Sequence, residues 1–328
     1  MRTLSVLVED FPIQGVFRIS RGEKTVAQVV TVAISQDGVT GRGEGVPYAR
    51  YGESVASVCA QIEETRALVE AGMSVGELQS ALPAGAARNA LDCALWDLTA
   101  RSTGEGIAAL AGLPAPLRPV VTAYTLSLDT PERMEAEARR HAALPVLKVK
   151  LGGAGDLERV EAVRAAAPSA RLIADANESW TPEQLRELAP PLRDLGVELI
   201  EQPLPAADDG FLTSYKSPVP LAADESCRDL ATLKDVVGKY AFATIKLDKT
   251  GGLTEALRLE SAARIAGLKT MTGCMVATSL SMAPGVVLAQ RTDVVHLDGP
   301  LLLARDRDPS LCYVGALAHP ADGGIWAR

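Results

Sequence analysis

Eight short apolar runs separated by helix-like stretches predict an α/β fold, a parallel sheet rolled into a (β/α) barrel. Polar residues recur at the ends of these runs, about one βα unit apart, as expected for a barrel whose mouth carries chemistry. The first third of the chain lacks this alternation and predicts a separate α+β module.

In that first third, residues 5–11 (SVLVEDF) and 25–35 (TVAQVVTVAIS) have the β-branched content of strands. Residues 38–45 are Gly-rich and read as a turn. Apolar residues recur at helical spacing over 54–70 and 75–82. Residues 85–101 (GAARNALDCALWDLTAR) predict a strong helix. Leu91, Leu95 and Leu98 form its stripe, and Ala87, Ala90 and Ala94 allow a neighbour to come close. The Pro-containing stretch 113–119 marks a boundary.

Beyond it the apolar runs fall at 120–126, 146–152, 171–177, 197–203, 220–226, 242–248, 269–275 and 293–299. Helix-like stretches rich in Ala, Leu, Glu and Arg lie between most of them, as at 156–167, 181–194 and 253–266. An open doubly wound sheet is the rival, disfavoured because no Gly-rich phosphate turn follows the first run. The expected division is residues 1–115 as the α+β module, 116–299 as the barrel and 300–328 as a segment packing back on the first module.

Composition narrows the function. The 328 residues carry 33 Lys and Arg against 41 Asp and Glu, a formal net charge of −8, with no basic cluster to bind nucleic acid. No apolar stretch approaches the ~18 residues of a membrane span, and the N-terminus turns acidic too early for a secretory signal. Cys59, Cys93, Cys227, Cys274 and Cys312 are odd in number, widely spaced and free of C-x-x-C. That pattern suits a reducing cytoplasm and argues against disulfides and thiolate zinc. Only His141, His296 and His319 are histidines, so acid–base work falls to Lys, Asp and Glu.

The polar residues at the run ends are Lys148, Lys150, Asp175, Glu201, Asp224, Lys246, His296 and Asp298. The steps from Lys150 to Asp175, Glu201, Asp224 and Lys246 are 25, 26, 23 and 22 residues, so neighbouring strands would bring them together. Asp175, Glu201 and Asp224 offer three carboxylates without His or Cys, a donor set that selects Mg²⁺ or Mn²⁺ over Zn²⁺. The alternative is a salt-bridge network between these carboxylates and the lysines. Glu225 is expected to point to the other face from Asp224. Lys148 and Lys150 share a strand face, and two adjacent ammonium groups depress the pKa of one, leaving a neutral amine as base. Lys246 would lie across the barrel. Two lysines on opposite faces of a metal-bound carbon acid suit epimerisation: a proton leaves one side and another arrives on the other, through an enediolate.

The order K-x-K, D, E, D, K over consecutive strands resembles the enolase superfamily, muconate-lactonising subgroup. The wording is close to its dipeptide epimerases in PYARYGES (47–54), PAGAARNALDCALWDL (83–98), LKVKLG (147–152), DANESW (175–180), EQPLPA (201–206), ADESC (223–227), IKLDKTGGLTEAL (245–257), GCM (273–275) and LDGP (297–300). The resemblance spans nearly the whole chain. It implies a modified TIM barrel, (β/α)7β-like, with an N-terminal capping domain.

It further implies Mg²⁺-dependent 1,1-proton transfer at the C-terminal residue of a dipeptide, L-Ala-D/L-Glu in peptidoglycan recycling being the expected substrate. By it, Asp175, Glu201 and Asp224 are metal ligands, Lys150 and Lys246 the acid–base pair, and Lys148 the neighbour that tunes Lys150 and touches the substrate carboxylate. Thr125 would contact substrate, and Cys274 and Met275 would line the pocket. Loops near 17–25 and 47–54 would close over the mouth, with Arg18, Arg21 and Lys24 as cations for a glutamate side chain and Arg21 and Lys24 favoured. The partner is a small dipeptide, not nucleic acid or membrane. Homo-oligomers are common in such a family, and nothing in the sequence sets a subunit number.

One departure touches specificity. The family often carries D-x-D at the eighth strand to bind the substrate ammonium, whereas this chain has His296-Leu297-Asp298, and only Asp298 keeps the charge an ammonium wants. The competing readings are a cycloisomerase, an o-succinylbenzoate synthase or an N-acylamino acid racemase of the same subgroup, and a non-catalytic barrel that binds a small acid.

Overall fold

The computed structural model describes all residues, 1–328. The N-terminal module is an antiparallel sheet of β1 (Arg2–Ile19), β2 (Gly22–Gln36) and β3 (Val39–Gly45) in that order, backed by α1 (Val55–Glu70), α2 (Val75–Ala81) and α3 (Ala86–Thr103). Ser54 and Ser74 start α1 and α2 with capping boxes, their side chains accepting from the N3 amides.

The stretch expected as a Gly-rich turn is strand β3. Its glycines are there for packing. A Cβ on Gly41, Gly43 or Gly45 would lie 2.2, 2.0 or 2.3 Å from the carbonyl oxygens of Ala94, Ala90 and Ala86. Three glycines on one strand face thus meet one alanine ridge of α3, and backbone lies directly on backbone. The small residues of α3 were legible as a close-approach surface, but their glycine partner was read as a turn because Gly is depleted from ordinary strands.

After α4 (Ile107–Leu110) and the short β4 (Val120–Val121), eight parallel strands follow: β5 (Tyr124–Leu126), β6 (Val146–Lys150), β7 (Arg171–Asp175), β8 (Val197–Glu201), β9 (Leu221–Ala223), β10 (Phe242–Lys246), β11 (Lys269–Gly273) and β12 (Val294–Val295). They pair in sequence order, and the sheet curls until Ala123 N donates to Val295 O between its first and last strands. The α/β barrel expectation holds, with all eight runs represented. The outer layer is α5 (Pro131–Arg140), α6 (Asp156–Ala166), α7 (Pro182–Asp194), α8 (Leu247–Thr250), α9 (Leu253–Ile265) and α10 (Ser279–Ala289), while only a 3-10 turn at Leu230–Asp235 lies between β9 and β10. Antiparallel β13 (Tyr313–Val314) and β14 (Leu317–Ala318) return to pair with β4. The last residues reach the N-terminal module, where Trp326 Nε1 donates to Cys93 O and Ala327 N to Asp97 Oδ1. No helix is long and apolar enough to cross a membrane.

Buried polar groups join the module to the barrel. Arg88 of α3 donates to the carbonyls of Thr250 and Gly251. Asp248 Oδ1 accepts from Val46 N and Asn89 Nδ2, each at 2.8 Å. Burial pushes the Asp248 carboxyl up to about 7, against those two bonds, and the Asp92 carboxyl up to about 6. A carboxyl whose folded pKa is raised contributes its stability fully below its unfolded value. That contribution is lost as pH climbs from about 4 through about 7. Asp248→Asn keeps the accepting oxygen and removes the charge. The variant is expected to lose less melting temperature than wild type between pH 5 and 8, and to be more stable at pH 8 by on the order of 2 kcal/mol. Thermal melts that run parallel across that range would reject it.

Candidate active site

The site forms at the C-terminal ends of the barrel strands, beneath the β1–β2 hairpin. Strand register does most of the assembly. Lys150 of β6 pairs with Asp175 of β7, and Asp175 with Glu201 of β8, so the three stand side by side at one level. Asp224 follows β9 directly, and Lys246 ends β10 opposite Gly273. A Cβ on Gly273 would come within 3.1 Å of Lys246 Cε, so this glycine leaves the lysine its room.

Each carboxylate meets a lysine. Lys150 Nζ donates to Asp175 Oδ2 at 2.6 Å and to Asn177 Oδ1 at 3.1 Å. Lys148 Nζ lies 2.9 Å from Asp175 Oδ2 and 2.6 Å from Glu201 Oε2. Lys246 Nζ donates to Asp224 Oδ2 at 2.6 Å, and Lys249 Nζ to Asp224 Oδ1 at 2.7 Å. The side chains thus stand in a close network of lysine–carboxylate contacts around Asp175, Glu201 and Asp224. One carboxylate is under-used. Both oxygens of the buried Glu201 lack a hydrogen-bond donor, because the Lys148 contact is close but not aligned as a hydrogen bond. A buried carboxylate without directed donors, between two others, has the oxygen chemistry and charge to hold a hard divalent cation.

Electrostatics separate the lysines. Burial, with Lys148 and Lys246 nearby, lowers the Lys150 pKa despite Asp175. Burial opposes charge on Lys148 too, but Asp175 and Glu201 outweigh it and raise its pKa. Lys246 is likewise held well above its usual value by Asp224 and Glu201. Asp224 is held well below its range by Lys246 and Lys249 against burial, whereas burial and the Asp175 charge raise Glu201. Of the three lysines at Asp175, Glu201 and Asp224 just described, Lys150 is the one whose pKa is lowered, by burial first and by the neighbouring ammonium groups next.

A cavity of about 320 Å³ opens above this layer. Lys150, Asp224 and Lys246 reach its wall, as do Thr125, Cys274, Met275, His296 and Asp298. Asp175, Glu201 and Lys148 lie beneath it, their side chains fully buried. Glu225 lines the same cavity as Asp224 rather than the other face. β9 ends at Ala223, so strand alternation no longer applies at 224–225.

At the far wall, Asp298 Oδ2 accepts from Thr125 N at 2.7 Å, and Asp298 Oδ1 lies 2.9 Å from His296 Nε2. His296 Nε2 is also 2.7 Å from Thr125 Oγ1, and Nδ1 is 3.3 Å from Lys148 Nζ. Burial, aided by the Lys148 charge, lowers the His296 pKa to about 4 against Asp298, so the imidazole is neutral at pH 7.

From above come Arg21 and Lys24 on the hairpin and Tyr48, Arg50 and Tyr51 on the following loop. Residues 17–24 form a paired hairpin end rather than an open loop. Arg21 Nη2 donates to Glu225 Oε1 at 2.6 Å and Arg21 Nη1 to Glu178 Oε2 at 3.1 Å, so its guanidinium is engaged by the barrel. Lys24 has no carboxylate partner and lies 5.4 Å from the Tyr48 ring centroid. Arg18 pairs with Glu23 and Asp129 and does not line the cavity.

The sequence reading missed three supports. Asn177 is two residues past Asp175, a spacing that could have exposed it. Lys249, given no role within the segment 245–257, is fully buried and also donates to the carbonyls of Thr244 and Cys227. Gln202, at φ 37°, accepts at Oε1 from Asp224 N and Ser226 N and so fixes the turn that carries Asp224. No local pattern marks a glutamine as a brace across two strands.

Two family models match the chain. Residues 1–112 match the mandelate racemase / muconate lactonizing enzyme N-terminal domain, and residues 133–308 the enolase C-terminal domain-like family. The chain is 46% identical to the L-Ala-D/L-Glu epimerase of Escherichia coli (strain K12), over 97% of its length and 100% of the relative's. It is 42% identical to an N-acetyl-D-glutamate racemase of a Pseudoalteromonas species, over 91% and 95% of the two chains. Among solved structures, an enolase family member from Agrobacterium tumefaciens with homology to dipeptide epimerases, bound to sodium and L-Ala-L-Glu, superposes with a TM-score of 0.98 at 48% identity over 100% of both chains. A dipeptide epimerase from Enterococcus faecalis V583, complexed with Mg and L-Leu-L-Tyr, superposes with a TM-score of 0.90 at 27% identity over 99% of both.

Proposed function

The chain belongs to the mandelate racemase / muconate lactonizing enzyme family, and from that premise we propose that it is an isomerase that epimerises a dipeptide at its C-terminal residue, L-Ala-D/L-Glu first among the candidates. The observation that carries this reading is the pair of buried lysines, Lys150 on β6 and Lys246 on β10, four strand positions apart around an eight-stranded sheet with three carboxylates between them. In this reading residues 1–115 are the cap, 116–299 the barrel and 300–328 the returning segment, and the enzyme works in the cytoplasm on peptidoglycan-derived dipeptide.

Asp175, Glu201 and Asp224 would hold Mg²⁺, which supplies positive charge against the negative charge developing on the substrate carboxylate as the α-proton leaves. Lys150, its pKa lowered, takes the α-proton on one face as the neutral amine. Lys246, kept protonated by Asp224, delivers a proton to the other face, and the roles exchange for the opposite epimer. Lys148 keeps its charge toward Asp175 and Glu201 and depresses Lys150. Thr125, Cys274 and Met275 shape the wall. Lys24 reads the glutamate carboxylate, since Arg21 is engaged elsewhere.

A second reading, racemisation of an N-acylated glutamate, is favoured by one observation. Both oxygens of Asp298 are already used, by Thr125 N and His296 Nε2, and the neighbouring imidazole is neutral. A substrate without an ammonium loses nothing there. The test is incubation with Mg²⁺ in D₂O of L-Ala-L-Glu and of N-acetyl-L-glutamate, following α-deuteration and epimer formation by NMR. Faster turnover of the dipeptide, with Asp298→Asn lowering kcat/KM for the dipeptide about tenfold or more and leaving the N-acetyl compound unchanged, is the expected result. Faster turnover of N-acetylglutamate would select the second reading, and exchange of neither would sink both.

A further inference from the structure

One acid outside the mechanism meets both segments that cover the mouth. Glu178 follows β7 and the Asp175–Asn177 turn, and its side chain is 7% exposed. Both Asn177 and Glu178 have left-handed backbone, at φ 45° and 68°. Asparagine tolerates this, but for a glutamate it costs about 1–2 kcal/mol. Such strain persists where the surroundings hold it.

The turn has an evident use. It directs the Asn177 carbonyl toward the N-terminal module, where it accepts from Ser20 Oγ at 3.0 Å and Arg21 Nη1 at 2.7 Å. The Glu178 carboxylate stands beside it. Oε2 accepts from Arg21 Nη1 at 3.1 Å and Arg50 Nε at 2.8 Å, and Oε1 accepts from Arg50 Nη2 and Ala206 N, both at 2.8 Å. One carboxylate thus receives a cation from the hairpin end, a bidentate guanidinium from the following loop, and a barrel amide that fixes its own position. Arg21 opposes the charge on Arg50, and the shared anion offsets that repulsion.

We propose that Glu178 is a positioning residue, a clasp shared by the two mouth-covering segments, the hairpin end 17–25 and the loop 47–54, that helps hold both down on the barrel beside the Arg21–Glu225 pair. It touches no reacting atom. Its removal leaves the Arg50 guanidinium without a carboxylate and takes from Arg21 one of the two it meets, the other being Glu225 at 2.6 Å. Arg50 serves only its own loop, whereas Arg21 also donates to Tyr48 Oη at 3.1 Å and so reaches both segments.

The proposal rests on the reading that the cavity binds substrate, so one arm of its test is independent of turnover. Amide hydrogen exchange on the substrate-free protein is compared for wild type, Glu178→Gln, Arg50→Met and Arg21→Met. Glu178→Gln is expected to speed exchange about fivefold or more in both loops with the barrel strands unchanged. Arg50→Met should do so only near 47–54, whereas Arg21→Met, which also removes the bond to Tyr48 Oη, should loosen 17–25 most. Arg50 is a surface side chain, 38% exposed, so its variant tests the idea even if Glu178→Gln folds poorly. The second arm is kinetic. Glu178→Gln should raise KM about tenfold with kcat within about twofold, as expected when the closed state becomes scarce but its chemistry is intact. Exchange that rises in neither loop or in one alone after Glu178→Gln, or Arg50→Met loosening the hairpin as much as its own loop, would overturn the shared clasp. An absence of measurable turnover alongside the expected exchange pattern would count against the assigned reaction and leave the clasp standing.

Discussion

Lys246→Ala is expected to abolish net epimerisation, lowering its rate by about 10³-fold or more, while still exchanging the α-proton of one epimer with solvent. Lys150→Ala is expected to do the same for the other epimer. The reason is geometric: the lysines rise from β6 and β10 on opposite sides of the curled sheet, so each reaches one face of a planar carbanion held between them. With one removed, the other can take its proton and return deuterium from D₂O, but nothing delivers a proton to the far face. NMR of each single epimer incubated in D₂O with each variant reads this directly. The two variants should give mirror-image results. Exchange of both epimers by either variant would show that one group serves both faces, and would reject the two-lysine assignment. Net charge alone cannot produce the pattern, because both substitutions remove one positive charge from the same buried cluster.

Glu201→Gln is expected to separate the metal role from folding. Glu201 is buried, its pKa is raised by burial and by Asp175, and neither oxygen has a hydrogen-bond donor. In the metal-free protein its charge is therefore a cost, offset chiefly by Lys148. The metal-free variant should melt no lower than wild type at pH 8. For wild type, Mg²⁺ at 100 times its Kd should add about 2.7 kcal/mol of stability, and chelator should remove both that gain and the activity. For Glu201→Gln the Mg²⁺-dependent gain should fall away and turnover should drop by about 10³-fold or more. Equal stabilisation of variant and wild type by Mg²⁺, measured by calorimetry, would exclude Glu201 as a ligand.

The two halves of the chain were unequally legible. In the barrel, each apolar run became a strand within a few residues, because a buried parallel strand must be apolar along its length and most of the connections are helices long enough to show their period. In the N-terminal module, β3 was unreadable. Its Gly41, Gly43 and Gly45 are chosen by the alanine face of α3, a contact between elements that no local pattern records. The same holds in the site. Lys150, Asp175, Glu201 and Lys246 could be picked out one by one, whereas Lys249 and Gln202 lie in the segments 245–257 and 201–206 with no local pattern to show that they brace Asp224 from behind.

The sequence by itself determined which chemistry is present and at what height it stands. A residue at the end of a parallel strand faces the barrel mouth, and a spacing of 22 to 26 residues carries that position from one strand to the next. Only the tertiary structure decided which charges are free to act. Arg21 meets Glu225 across 204 residues of chain, Asp298 meets the Thr125 amide across 173, and Glu178 meets Arg21 across 157. Such pairs are set by where the N-terminal hairpin comes down on the barrel and by how far the sheet curls. A charge a few ångströms from a buried partner is committed to it, and sequence distance holds no record of that separation.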